Sequence, residues 1–474
     1  MANEPKISWY DLETSGREPG FDVPLNVAVV TTDGNLNQVG QLELRCRPPA
    51  SVLPAPQALV VQGQGIGFHQ GQPLSLYEFT REFTAHVESL HPTIFAGYNS
   101  IRFDDEIMRH TLYRMLKPPY VMQFGGSRRI DLLPLAQCAY VLDPDSLTLP
   151  LSAKGKRTFA LDAFAPANGF QGEGAHDAIV DVHATIHVAG VINERQPGLL
   201  DLATNVWSDK RAVCQLLESS EFLVVIAWNP FAQCPIIKAV APVAANPTYA
   251  TEWACVDLAF DPDDYMALPA EEMTELIVVG TRERPIVPVK SNAMPILFEP
   301  DHPLVQHLLP QPAEELIRRA RAVQGNAGFA TRVGRALALR REGFSDPEHV
   351  ELQLYSGGFF SKADEARLAQ FHAAPPEVRL GILDEVEDER LRTLGRRLVL
   401  DEWPHVMPPS VRAKLEQERL ERLHSEDKVK WTTVGRALAD IEKMRADAGP
   451  DEAAILDEYE EYLLSLPELS VAAE

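Results

Sequence analysis

The sequence predicts an α/β fold for its first part, a mixed sheet flanked by helices, then a small β-barrel and an all-helical C-terminal part. Three observations carry this. Apolar strand-like runs alternate with helix-periodic segments up to about residue 195. Short β-type runs separated by turn clusters fill the middle of the chain. Beyond Ser361 only helical periodicity remains.

The elements follow in order. Ile7-Ser8-Trp9-Tyr10 is a short extended run, and strands are expected over Val23–Thr31, Gln41–Arg47 and Thr93–Tyr98. Helices are expected over Leu76–Leu90, Asp104–Leu116 and Asp177–Asn193. In the last of these Ile179, Val182, Ile186 and Ala189 share one face. Gln196-Pro197-Gly198 marks a boundary, which divides the chain into residues 1–196, 197–350 and 351–474. A helix carrying Lys210 and Arg211 follows. The barrel runs are Phe222–Trp228, Pro235–Val243, Trp253–Phe260, Glu275–Thr281 and Ile286–Lys290. Residues 311–345 read as helical and basic, with Arg318, Arg319, Arg321, Arg332, Arg335, Arg340 and Arg341 forming either a solvated face or a docking patch. Ser361 to Asp364 has capping-box spacing, and Leu415, Leu420 and Leu423 mark an amphipathic helix.

At 474 residues and 45% hydrophobic content the chain can bury several cores. No run approaches the roughly 18 apolar residues of a membrane span. Met-Ala-Asn-Glu-Pro-Lys lacks the basic-then-apolar form of a signal peptide, so a cytoplasmic enzyme is expected. Cys46, Cys138, Cys214, Cys234 and Cys255 are an odd, unpaired set that suits reduced thiols better than a disulfide frame or zinc site.

The chemistry lies in three acidic blocks. Asp11-Leu12-Glu13 ends the first extended run, and alternation puts Asp11 and Glu13 on one side, their Cα atoms roughly 7 Å apart at about 3.3 Å per residue. Both can reach one cation site, although a solvated strand end would look the same. Asp104-Asp105-Glu106 follow Asn99-Ser100-Ile101-Arg102-Phe103, which looks like a helix N-terminus. Acids there suit the helix dipole, but three exceed what a cap needs. Phe103 is expected to pack inward and fix Asp104. His176 stands just outside a helix with Asp177 as its N-cap and Asp181 one turn inside. An imidazole beside a polarised water is a natural general base, and a surface loop histidine is the plainer alternative. His183 and His187 read as structural or surface residues.

Together these blocks resemble the DEDDh exonucleases, an RNase H-like superfamily of 3′→5′ nucleases. Asp11, Glu13, Asp104 and Asp181 match its four acids and His176 its histidine, including the run Asp11 to Thr14 and the five-residue step from His176 to Asp181. The segment Gly97–Glu106 is similar to the second block of bacterial exonuclease I, as are Val289–Leu297 and Gln353–Ser361 farther on. The resemblance implies a nuclease domain, an SH3-like barrel and a helical C-terminal domain arranged as a C-shaped clamp. It also implies processive degradation of single-stranded DNA to 5′-mononucleotides in DNA repair and recombination. Two Mg²⁺ ions, or Mn²⁺, would be held by Asp11, Glu13, Asp104 and Asp181, with His176 deprotonating the attacking water and the ions stabilising the leaving oxygen. The family binds the acidic tail of single-stranded DNA-binding protein, for which the basic helices are the candidate surface. A closed clamp in one chain favours a monomer.

One departure concerns substrate binding. Phe159-Ala160-Leu161 stands where the family has Phe-Arg-Leu, so a cation near the terminal nucleotide is lost, and Lys156 or Arg157 are the nearby candidates to replace it. The net charge of −24 is unusual for a DNA binder, since affinity comes largely from cations that displace counterions. The acid excess is largest in residues 351–474, so positive charge must be local. Arg102, Arg109, Arg114, Lys117, Arg128 and Arg129 interleave with Tyr113, Tyr120 and Phe124, the mixture that binds single strands by phosphate contact and stacking. Arg109, Tyr120, Phe124, Lys210 and Asn292, with Glu13 and Thr14, are the expected DNA contacts, and Lys290 is a further candidate. An exoribonuclease of the same superfamily, or a single-strand-binding scaffold that does not cut, are the alternatives. The intact acidic set argues against the scaffold.

Overall fold

The computed structural model describes residues 6–172, 176–278, 283–342 and 346–467, without the side chains of Arg341 and Glu342. Its first sheet has five strands: β1 (Ile7–Thr14), β2 (Pro24–Thr32), β3 (Gln38–Arg45), β4 (Ile94–Gly97) and β5 (Arg128–Asp131). They lie in the order β3-β2-β1-β4-β5. β1 pairs antiparallel with β2 and parallel with β4, which pairs parallel with β5, so the sheet is mixed.

Period-2 alternation sorts the side chains of β1. Tyr10 and Leu12 enter a core with Phe79 and Phe83 of the helix Leu76–Leu90, and with Ile107 and Leu112 of the helix Asp104–Arg114. Ile7 and Trp9 enter a second core with Val182, Val188 and Ile192 of the helix Ala178–Arg195. Asp11 and Glu13, in register with Trp9, therefore point toward the helix that carries Asp181. The expected stripe on that helix holds: Val182 and Ala189 are buried, with Ile179 and Ile186 packed against the same core.

The second sheet is antiparallel throughout: β6 (Leu223–Asn229), β7 (Cys234–Ala245), β8 (Glu252–Asp257), β9 (Ile286–Lys290) and β10 (Ile296–Phe298), in the order β10-β6-β7-β8-β9. The helices Ala313–Gln324 and Ala327–Glu342 cover one face through Leu316, Val323, Phe329 and Val333. Val224, Ile226 and Phe298 join the core of the first sheet, and the buried Trp207 indole donates to the Leu297 carbonyl at 2.7 Å. The expected strand Glu275–Thr281 does not form over its first residues. Thr274–Leu276 is a 3₁₀ turn continuing a short helix, Ile277 makes only an isolated bridge to Ile286, and residues 279–281 lie outside the described set. Met273 and Ile277 fill the core there, so burial rather than pairing accounts for the apolar pattern. The run from Trp253 stops at Asp257, whose carboxylate accepts from the Ala259 amide and turns the chain.

The C-terminal part is helical from Lys362 to Ser465. Leu383, Leu391, Leu394 and Leu398 belong to the same core as Tyr10 and Leu12, so these helices complete the first sheet's packing. Ser361 caps its helix by accepting from the Asp364 amide at 3.0 Å. Asp364 does not close the box; it is buried and accepts the Glu387 and Asp388 amides of a later turn. Of the amphipathic leucines, Leu423 is buried and Leu415 packs against the main core. All five cysteines are free, and no helix among the described residues is long and apolar enough to cross a membrane.

The basic helices carry less free charge than their sequence suggests. Arg318 and Arg319 share Glu315, Arg321 pairs with Glu221 and Arg335 with Glu271. Arg332 donates to the carbonyls of Met266 and Leu268. Residues 343–345 and the Arg341 side chain lie outside the described set.

Candidate active site

β4 ends at Gly97 because the chain passes close to β1 there. A Cβ at Gly97 would stand 2.6 Å from the Ser100 Cβ and 2.9 Å from the Tyr10 carbonyl. β1 pairs with β4 only as far as Trp9, so the Leu12 amide is released and donates to Asp104 Oδ1 at 3.2 Å. The helix begins at Asp104, as expected, and ends at Arg114; Asn99–Phe103 form a turn with Asn99 at φ 60°. Buried Asp131 fixes that turn by accepting the Asn99 amide at 2.8 Å and the Ile101 amide at 3.2 Å. Phe103 is half-buried against the core, as the sequence predicts. Asp177 caps its helix by accepting the Ile179 amide, which sets Asp181 in the first turn.

Carboxylate oxygens of Asp11, Glu13 and Asp181 all lie within 4.8 Å of one another. Asp104, 4% exposed, adjoins them through the Leu12 backbone. Burial, reinforced by the other acids, holds the Asp11 carboxyl well above the usual range. Burial and the Asp181 and Asp104 charges push Glu13 up to about 8. Burial raises Asp104 to about 8 and Asp181 to about 6. Four acids so placed repel one another when ionised, and hard oxygen donors at this spacing fit a divalent cation. The His176 main chain donates to the Asp181 carboxylate, and its half-buried ring follows a left-handed backbone at φ 67°. His187 Nε2 donates to the Asn168 carbonyl, 3.0 Å away, a structural contact.

A measurable linkage follows. Unfolded carboxylates titrate near pH 4. The raised folded values mean that the folded chain holds protons the unfolded chain has lost, so cation-free stability falls between about pH 4 and about pH 8 from these groups. Mg²⁺ or Mn²⁺ should raise the thermal midpoint, with a gain that grows over the same window, and Asp11→Asn should flatten both trends. Scanning fluorimetry with chelator or metal checks this; a midpoint indifferent to both ions across the window would refute the cation site.

A second network was not anticipated. Asp105, fully buried, accepts from the Tyr10 hydroxyl and pairs with Arg129 and with Arg109 at 3.3 Å. Arg109 also pairs with Glu106 at 2.5 Å and lies 5.6 Å over the Tyr120 ring. Tyr355 donates to Glu106 at 2.7 Å. Arg109, expected as a DNA contact, therefore lines the groove as a paired cation, sharing Asp105 with Arg129 and holding Glu106. Arg128 pairs with Asp209 at 3.0 Å. Arg114 donates to the Phe21 and Asp22 carbonyls, a structural role. The one sequence signal for the network was the four-residue spacing of Asp105 and Arg109, which places them on one helix face.

A groove of about 2150 Å³ runs between the two sheets, lined by Asn99, Asp131, Arg109, Tyr120, Asn292 and Tyr355, among others. Phe124 and Lys210 are exposed but stand outside its lining. The Thr14 hydroxyl is occupied, donating to the Gly16 carbonyl at 2.7 Å. Asn292 accepts from Arg129 through its backbone carbonyl at 3.3 Å, joining the second sheet's turn to the first sheet.

Comparison with known proteins gives this site its context. Residues 8–189 match the family described as Exonuclease, and residues 348–466 the Exonuclease I C-terminal domain. Exodeoxyribonuclease I of Haemophilus influenzae is 31% identical over 389 residues, covering 78% of this chain and 80% of the relative. The Escherichia coli enzyme of the same name is 30% identical over 381 residues, covering 76% and 78%. Among solved structures, exonuclease I from Methylocaldum szegediense superposes with TM-score 0.85 at 29% identity, covering 97% of this chain and 99% of that one. Escherichia coli exonuclease I in complex with a dA16 oligonucleotide gives TM-score 0.84 at 25% identity, covering 97% and 99%. With its acidic cluster held in the matching domain, this chain belongs to the exodeoxyribonuclease I family and is a hydrolytic exonuclease.

Proposed function

We propose that the chain degrades single-stranded DNA from its 3′ end to 5′-mononucleotides, using two Mg²⁺ ions, in DNA repair or recombination. The observation that carries this reading is the convergence of Asp11, Glu13 and Asp181 within 4.8 Å, with Asp104 beside them. Divalent ions bound there would polarise the scissile phosphate and stabilise charge on the leaving 3′-oxygen. The chain's own residues do the rest. Asp11 and Glu13 present oxygens from a rigid strand and Asp181 from a capped helix, so the donor set is preorganised. His176 takes the proton of the attacking water. Tyr120 and Tyr355 offer stacking faces in the groove, which suits unpaired bases. The solved complex of Escherichia coli exonuclease I with dA16 supports the substrate class.

In this reading residues 1–196 form the nuclease domain, 197–350 an SH3-like barrel domain built on the second sheet, and 351–474 the helical domain, together a clamp acting as a cytoplasmic monomer. The acidic tail of single-stranded DNA-binding protein docks on the helices Ala313–Gln324 and Ala327–Glu342. The exposed pairs of Arg318, Arg321 and Arg335 there are weak enough for an arriving carboxylate to replace.

Matched 3′- and 5′-labelled DNA and RNA oligomers, with and without Mg²⁺, test the proposal. Metal-dependent loss of the 3′ label from DNA first is the expected result. Preferential RNA loss would establish the exoribonuclease alternative, and binding without cleavage the scaffold.

A further inference from the structure

Six cations line the groove among the described residues: Arg102, Arg109, Arg129, Lys156, Arg157 and Lys290. Arg109 and Arg129 are neutralised by Asp105 and Glu106. The other four make no ion pair among the described residues, and two of them sit side by side on one hairpin. Leu151 bridges Arg157 in antiparallel fashion, the Ser152 amide donates to the Lys156 carbonyl at 2.7 Å, and Gly155 turns the tip at φ 70°. Arg157 donates to the Tyr140 hydroxyl, which holds the hairpin against the groove wall.

The hairpin leads to the carboxylate centre. Its exit strand passes Phe159, whose carbonyl accepts from Tyr98 and whose ring meets Trp228 of β6 edge-on at 6.4 Å. Beyond Ala160 the chain enters the helix Leu161–Ala167, which packs on the helix Ala178–Arg195 that carries Asp181. Trp228, packed on Phe159, is followed by Phe231, which also lines the groove and is 78% exposed at the β6–β7 turn. A strand lying in this groove thus meets both unpaired cations and an exposed aromatic tip. The acids of the centre repel a polyanion, and the chain as a whole carries −24, so a local cation pair at this point has a large effect on approach.

Building on the single-strand nuclease reading, we propose that the hairpin Leu151–Arg157 is a phosphate clamp. Lys156 and Arg157 hold the backbone phosphates next to the cut, and the exposed Phe231 offers the face on which a base stacks. The clamp, rather than Arg109, is the electrostatic determinant of substrate binding near the cleavage point.

The test uses the full chain with Asp181→Ala to prevent cleavage, titrated with a fluorescent oligothymidylate at several salt concentrations. Each phosphate contact on a single strand contributes roughly 0.7 to the slope of log affinity against log salt. The Lys156→Ala/Arg157→Ala double variant should bind more weakly at low salt with a slope flatter by about 1 to 1.5. Lys156→Arg/Arg157→Lys should keep the parent slope. Phe231→Ala should weaken binding with the slope unchanged, as loss of a stacking surface does. In the cleaving background the double alanine variant should raise KM for short oligomers several-fold and leave kcat near the parent, a split that a misfolded fraction would not produce. Parent-like affinity and slope in the double variant would overturn the clamp. The parent's own 3′-end degradation, followed in the same experiment, decides the nuclease reading separately.

Discussion

Asp181→Ala should reduce cleavage of a 3′-labelled oligomer to background while leaving single-strand affinity within about twofold of the parent. The carboxylate stands among Asp11 and Glu13 within 4.8 Å, so its loss removes one donor from a set fixed by strand and helix. Loss of even an outer partner of a metal ligand typically costs roughly 10–100-fold, and loss of a donor itself costs more. The groove cations and aromatics lie on other elements, so binding survives. The substitution also relieves repulsion, because the Asp181 charge raises Glu13. The cation-free variant should therefore melt no lower than the parent at neutral pH. An inactive variant that melts several degrees lower would mean that activity was lost through the fold instead. Near-parent turnover would remove Asp181 from the site altogether.

The acidic residues were legible because each sits where local rules operate. Alternation alone puts Asp11 and Glu13 on one side of β1, and N-capping by Asp177 alone puts Asp181 in a first turn. What brings them to Asp104 is tertiary: β4 ends at Gly97, the Leu12 amide is freed, and Asp104 takes it. The Asp105 network was not legible for the same reason. Its partners Tyr10 and Arg129 lie on separate strands, and Tyr355 reaches Arg109 from the far part of the chain. A run of basic residues on a helix shows the opposite failure. Sequence shows the charges of Arg321 and Arg335 but not the distant carboxylates of Glu221 and Glu271 that the fold brings to them. The short strands β5 and β10 escaped notice because three or four residues cannot display a period. Lys210 and Phe124 were named from the sequence by residue type, and both are exposed outside the groove lining. Each suits a DNA contact by type, but which side of an element faces the groove is set by packing between the two sheets.

His176 presents the second large effect, and the choice of variant decides whether the measurement is clean. The residue has φ 67°, a conformation that costs most side chains about 1–2 kcal/mol but that asparagine adopts readily. Its main chain donates to Asp181, so a substitution that shifts the backbone would disturb the carboxylate as well as remove the ring. His176→Asn keeps the left-handed turn and the amide donor and removes only the imidazole. His176→Ala removes the same ring at the expense of local strain. If the ring accepts the proton of the attacking water, both variants should lose roughly 10²–10⁴-fold in kcat, the range for a general base, with Kd for a single strand unchanged. If the ring only buttresses the turn, His176→Asn should retain most activity and His176→Ala should lose it together with thermal stability. If it instead contacts substrate, the loss should appear in Kd and KM with kcat spared. Single-turnover cleavage and equilibrium binding on the same two proteins separate the three outcomes, and only an equal kcat loss in both variants at unchanged Kd supports proton transfer by His176.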